Sequence, residues 1–243
     1  RHLNYYSRQL NLLKVKLDRM QITRLKSQTP ITPYAASWDA PLGFSQWNES
    51  DKIDTIRNFL LEKEEEVLKL PWHGQGRTGL GEDKVTTRYG MYHVFDFSEE
   101  CPELVDLLQW MRFQWVDFVQ ADCTEYYPLH FTCWYNILRK GDKIDIHNHT
   151  TDYRGYLSAN MHLDDYEDSK TVYEHMEMAR YIPNIKGGLT FFPGYVEHYV
   201  PVYNGDKPRV SLALDLYIHM FGLQDNIKYL PFINPEEFFK QNG

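Results

Sequence analysis

At 243 residues, 42% hydrophobic and 15% aromatic, the chain is long enough to bury one sizeable core, which excludes disorder as its dominant state. Eighteen Tyr, thirteen Phe and six Trp against fourteen Gly and twelve Pro exclude collagenous and low-complexity classes and favour strand-rich packing. Cys101, Cys123 and Cys133 are odd in number and contain no CxxC pair, which excludes a disulfide framework or cysteine zinc site and points to a reducing, cytoplasmic compartment.

No run approaches the roughly eighteen apolar residues of a membrane span, and no basic-then-apolar leader is present, so no membrane partner is expected. The chain begins with Arg1 rather than Met, so residues upstream are expected. Residues 1–27 carry seven Lys/Arg and one Asp, a charge of +6, which leaves −14 for the remainder of a chain of net charge −8. That acidic body argues against nucleic acid as a partner.

In chain order, Leu3, Tyr6, Leu10, Leu13, Leu17 and Met20 recur at alternating spacings of three and four, which predicts a basic amphipathic helix over 3–26. Its apolar stripe would pack on its own domain or on a second subunit or other partner. Thr29-Pro30 and Thr32-Pro33 then begin an extended connector through Pro41, because a residue before proline is pushed out of the helical region. We therefore expect a segment 1–50 preceding one domain over 51–243.

Ser50 and Asp51 open a helix over 51–70, ended by Pro71. Residues 72–90, with five Gly, read as a loop, and Tyr89–Phe97 alternate as a strand. A second helix over 102–120 carries Leu104, Leu107, Leu108, Met111, Trp115 and Phe118 toward the core. Beyond it everything reads as strand: His130–Arg139, Lys143–Asn148, Tyr156–Leu163, Thr171–Met176, Gly188–Phe192, Val196–Tyr203 and Arg209–His219. Seven or eight strands over about 128–220 predict a mainly β fold with flanking helices (α+β), a jelly-roll or cupin-like barrel.

Of ten histidines, most read as surface or hydrogen-bonded core residues. His147-x-His149 differs: it ends a strand, where residues two apart point the same way and converge on one ion. His198, at the start of another β-run, is the best third ligand, and neutral imidazole suits iron and other first-row divalent ions. Arg209 and Ser211 share one face of the last strand, where a guanidinium and a hydroxyl form a socket for a carboxylate. The structural alternative is a strand Arg paired with an acidic neighbour.

His147-x-His149, the Phe191-Phe192-Pro193-Gly194 run and His198-x10-Arg209-x-Ser211 together resemble the core of the Fe(II)- and 2-oxoglutarate-dependent oxygenases. The likeness is to a prolyl-hydroxylase-like branch, common in phages and bacteria, whose dyad reads His-x-His. Trp134-Tyr135-Asn136 before Gly141, and Gly188-Leu189-Thr190 before Phe191, are also matched, and the resemblance covers about 130–218. It implies a double-stranded β-helix holding one Fe(II), with Arg209 and Ser211 on the distal carboxylate of 2-oxoglutarate, and O2 and a small-molecule or peptide substrate as the other partners. A viral chain would sit in host cytoplasm or with the virion.

The family's dyad carries a carboxylate where this chain has His149. Either His149 is itself a ligand, Asp152 supplies the carboxylate, or the site is degraded or differently metallated. Tyr135, Asn136 and Tyr156 are further co-substrate pocket candidates, since adjacent alternating strands can point them at one cavity; core roles are the alternative. The activity implied is hydroxylation with release of succinate and CO2. Its rivals are a cupin-type isomerase or a dioxygenase without 2-oxoglutarate, and a structural or binding phage protein with an inactive barrel. His147-Asn148-His149 is not read as an HNH nuclease, whose residues lie far apart in a ββα fold.

Overall fold

The computed structural model describes residues 20–72, 77–122, 125–150, 155–166, 169–176, 178–218 and 223–242. Eleven strands among them form two sheets. They are β1 (Gln21–Lys26), β2 (Asp39–Gln46), β3 (Leu129–Leu138), β4 (Ile144–His147), β5 (Leu157–His162), β6 (Lys170–His175), β7 (Met178–Pro183), β8 (Gly188–Pro193), β9 (Glu197–Val200), β10 (Arg209–Ile218) and β11 (Leu230–Ile233). The larger sheet runs β1-β2-β8-β5-β10-β3-β11 and the smaller β4-β9-β6-β7, with antiparallel pairing throughout. This is a double-stranded β-helix with a cavity lined from both sheets.

The α-helices among the described residues are α1 (Ser50–Glu62), α2 (Glu64–Leu68), α3 (Glu103–Asp122) and α4 (Pro235–Asn242). In α3, Leu104, Leu107, Met111, Trp115 and Phe118 recur at helical spacing and are buried. Such burial stabilises by roughly 1.5–3 kcal/mol per large apolar side chain. The far face of the larger sheet receives them: Phe118 lies against Phe191 of β8, and Trp115 against Phe232 of β11. Gly43 of β2 lies under the Phe118 ring, where a Cβ would come within 3.0 Å of it. The opposite face of the sheet is left to line the cavity.

Four expectations change. Residues 21–26 are strand β1 rather than helix, because they pair residue for residue with Asp39–Phe44 of β2; the rest of the expected helix, 3–19, lies outside the described residues. The expected connector through Pro41 runs into β2, whose first residues are Asp39–Pro41 and which sits between β1 and β8. Residues 21–46 therefore contribute two strands to the larger sheet. Residues 89–97 are not a strand: Val94–Glu99 form a 3-10 turn, with the His93 ring accepting from Phe95 N–H. Tyr92, His93, Val94 and Phe95 are all buried there, so their alternation in polarity does not sort them between a wet and a dry face. Finally, the chain does not end in strands alone, since α4 buries Phe238 and Phe239 against Phe113 and Tyr126.

No helix among the described residues is long and apolar enough to cross a membrane.

Candidate active site

The register of the larger sheet sets the cavity floor row by row. On β10, Arg209, Ser211, Ala213 and Asp215 share one face at the two-residue period of a strand. Ser211 is opposite Asn136 of β3 and His162 of β5, Ala213 is opposite Trp134 and Asn160, and Asp215 is opposite Thr132 and Ser158. All of the first two rows line the cavity, together with Arg209. Tyr135, between Trp134 and Asn136, therefore faces away, into the core beside Tyr92. Tyr156 precedes β5 and packs on Tyr127, outside the cavity lining. Of the three extra pocket candidates, only Asn136 is in the cavity.

The roof comes from the smaller sheet. His147 of β4 and His198 of β9 are register partners, so their side chains emerge on the same face, with ring centroids 4.3 Å apart. His149 follows β4, anchored by its backbone N–H to Gly194 O at 2.9 Å. Ligand atoms of His147, His149 and His198 all lie within 4.8 Å of one another. Asp152 lies outside the described residues.

The hydrogen bonds of each ring determine which nitrogen faces its neighbours. His147 Nδ1 lies 2.8 Å from Asp145 O, His198 Nδ1 lies 3.4 Å from Val196 O, and His149 Nδ1 meets Asp215 Oδ1. Carbonyl and carboxylate oxygens only accept, so each Nδ1 is a protonated nitrogen and each Nε2 is the nitrogen turned toward its neighbours. His149 Nε2 and His198 Nε2 stand 3.3 Å apart. Two imidazole nitrogens facing each other at that distance, with the third ring beside them, are a donor set for a shared cation.

Burial, and then His149, push His147 down to about 4, while burial followed by the other two rings holds His198 well below the usual histidine range. A divalent ion fits: two nitrogens bonded at about 2.1 Å to one ion stand roughly 3.0–3.4 Å apart. Trp134 stacks on His149 at 5.8 Å, and Phe192 meets the edges of His149 and His198, so the rings sit in apolar walls.

Asp215 lies behind His149. Burial alone would raise its carboxyl, but His149 and a 2.7 Å hydrogen bond from Ser158 Oγ hold it below the usual range. Tyr217 OH donates to its second oxygen at 3.4 Å.

At the other end of the same strand face, Arg209 is 1% exposed. Its Nη2 lies 3.4 Å from Thr171 Oγ1, while Nε and Nη1 have no hydrogen-bond partner among the described residues. Burial lowers it to about 10, still a cation at neutral pH. The acidic strand neighbour that would make it structural is not found among the described residues. Beside it His162, 2% exposed, has neither ring nitrogen partnered among the described residues, and burial followed by Arg209 keeps it neutral. Ser211 Oγ accepts from Asn136 Nδ2 at 3.5 Å. A buried cation with free donors, a free imidazole and a hydroxyl together call for a small anion.

Thr78, Thr86 and Tyr89 border the cavity from the loop before α3. Thr86 Oγ1 donates to Asn136 Oδ1 at 2.8 Å, and Asp145 N–H to Thr78 O at 2.8 Å, so this part of the loop is docked on the site. Sequence reasoning missed Asp215, His162 and Trp134. The signal available for Asp215 was its place two and three strand periods from Ser211 and Arg209 in an otherwise apolar run.

No family model matches this sequence, and no curated protein matches it. The solved structures do supply likenesses, and with the topology they define the fold class as the double-stranded β-helix. HygX from Streptomyces hygroscopicus with nickel and 2-oxoglutarate bound is 12% identical over 74% of this chain and 83% of its own, with a TM-score of 0.51. A Pseudomonas putida prolyl-4-hydroxylase is 15% identical over 72% of this chain and 92% of its own, at 0.50. HygX with iron bound is 11% identical over 74% and 83%, at 0.50.

Proposed function

We propose that this chain is an Fe(II)- and 2-oxoglutarate-dependent oxygenase that hydroxylates a peptide, an amino acid or another small metabolite, with release of succinate and CO2. The observation that carries the reading is one cavity with two donor sets: three imidazoles whose ligand atoms converge at the roof, and at the floor a buried Arg209 whose Nε and Nη1 have no partner among the described residues. That HygX has been solved with iron, and with nickel and 2-oxoglutarate, on a similar fold supports the same pairing here.

His147, His149 and His198 would hold the metal, with Arg209, Ser211, Asn136 and His162 around the far carboxylate of the co-substrate. When bound, Fe(II) supplies the one-electron chemistry with O2 that couples decarboxylation of 2-oxoglutarate to oxidation of substrate. The residues of this chain do the rest. Three ligands on one side leave coordination positions for co-substrate and O2, and the Arg209 guanidinium offers two parallel donors to a carboxylate. Trp134 and Phe192 keep water from the rings. Thr78, Tyr89 and Asn148, on the open side of the triad, are where substrate would arrive.

The test is anaerobic titration of the Fe(II) protein with 2-oxoglutarate. A visible metal-to-ligand charge-transfer band is expected, weakened in R209A, with succinate formed once O2 and substrate are added. Metal binding without that band would favour the cupin-type reading instead, in which Arg209 receives a substrate carboxylate.

A further inference from the structure

We infer that Asp215 is a positioning residue that supplies, through His149, the negative charge that the three neutral imidazoles lack. The inference rests on the metal reading above. Three neutral ligands leave a divalent ion at its full 2+ charge inside a buried cavity, an unfavourable arrangement unless an anion stands close behind. Asp215 is the anion on the page. Its Oδ1 receives the His149 Nδ1 proton, and Ser158 Oγ donates to the same oxygen at 2.7 Å. The contact has two effects. It fixes the His149 ring in the orientation that aims Nε2 at His198 Nε2, 3.3 Å away. It also polarises the ring, since a carboxylate acceptor draws the Nδ1 proton more strongly than a backbone carbonyl does and so makes Nε2 the more basic donor.

The other two rings lack this support: His147 and His198 lean on the backbone carbonyls of Asp145 and Val196. The asymmetry singles out His149. Strand geometry makes the pairing specific, because Asp215 is opposite Ser158 in the β10–β5 register and on the same strand face as Arg209. One face of β10 thus presents the co-substrate cation at one end and the metal's counter-charge at the other.

The test compares D215N, close in size but neutral, with the wild-type chain. Co(II) affinity is measured by calorimetry on the metal-free proteins, and the Fe(III)/Fe(II) potential by electrochemistry on the iron-loaded ones. D215N is expected to bind Co(II) about 10–100-fold more weakly, the usual cost of losing an outer-shell partner. Its iron potential should move to more positive values, because the lost charge stabilised Fe(III) more than Fe(II). A residue that merely packs would shift the melting temperature of the metal-free protein and leave both readouts in place. That result, with wild type binding Co(II), would overturn this inference and leave the metal reading standing; no Co(II) binding by wild type would overturn both. Should D215N not fold, histidine 15N spectra of the wild-type Zn(II) protein decide the matter. The Nδ1 proton of His149 is expected downfield of those of His147 and His198, and an unprotonated Nδ1 at His149 would overturn the inference.

Discussion

His147 and His198 are direct cross-strand partners in the β4–β9 ladder, fifty-one positions apart in the chain and 4.3 Å apart at their ring centroids. A shift of one residue in that register would turn one imidazole to the opposite face of the sheet, so the pairing of two short strands determines whether the three rings meet.

Removing either ring should therefore cost more than removing the carboxylate behind His149. H198A and H147A are expected to lose Co(II) affinity beyond the roughly 10–100-fold that an outer-shell change costs. Calorimetry on the three variants side by side checks the ordering. Equal affinity in H198A and wild type would remove His198 from the ligand set.

His162 should behave as a binding residue rather than a packing one. With neither nitrogen partnered among the described residues, the buried imidazole carries a desolvation cost of about 1–3 kcal/mol. His162→Leu is expected to leave the melting temperature of the metal-free protein unchanged or higher. The thermal shift that 2-oxoglutarate produces in the metal-loaded protein should shrink. Scanning fluorimetry with and without 2-oxoglutarate reads both, and a destabilised variant with the full ligand shift would contradict the assignment.

Stability should fall on the acid side of neutrality, in part through His93, which lies away from the metal site. Its ring is fully buried between Phe131 O, which accepts from Nε2–H at 3.2 Å, and Phe95 N–H, which donates to Nδ1 at 3.2 Å. Burial lowers it to about 4. The unfolded ring titrates near 6.5, so between about pH 6.5 and 4 the unfolded chain binds a proton that the native chain refuses. Its contribution to stability is therefore complete above that window, is lost as pH falls through it, and changes no further below about pH 4. Denaturant unfolding of H93Q as a function of pH should show an acid limb shallower by up to about 1.4 kcal/mol per pH unit. Superimposable limbs for the two proteins would rule this out.

The contact between sheet and helix should be intolerant at Gly43. A Cβ there would come within 3.0 Å of the Phe118 ring and the Met20 sulfur, atoms held in the main core. G43A is expected to lose about 1–3 kcal/mol and several degrees of melting temperature, with Co(II) affinity preserved. An unchanged melting temperature would mean that α3 sits farther from β2 than described.

Much of the barrel was legible. The alternating runs at His130–Arg139, Tyr156–Leu163, Gly188–Phe192 and Arg209–His219 are β3, β5, β8 and β10 to within one residue at every end, because each has one face on α3-side apolar packing and one on a cavity. β1 and β2 were not legible. Pro41 and Gly43 are poor strand residues taken locally, and only the ladder from Gln21–Phe44 to Lys26–Asp39 makes them strands. Tyr135 was misjudged for a related reason: alternation says that neighbours on β3 face opposite ways, but not which of them faces the cavity.

Residue types and local spacing by themselves determined that two histidines at 147 and 149 share a direction, that Arg209 and Ser211 share a strand face, and that the chain is mainly β. These follow from strand periodicity, which acts within a few residues. Only the tertiary structure decided that His198 meets the pair, that Asp215 stands behind His149, and that Arg209 lies buried in the same cavity as His162. Each of these depends on the register of strands distant in sequence, where the free energy comes from packing two sheets around a common cavity and leaves no trace in local pattern.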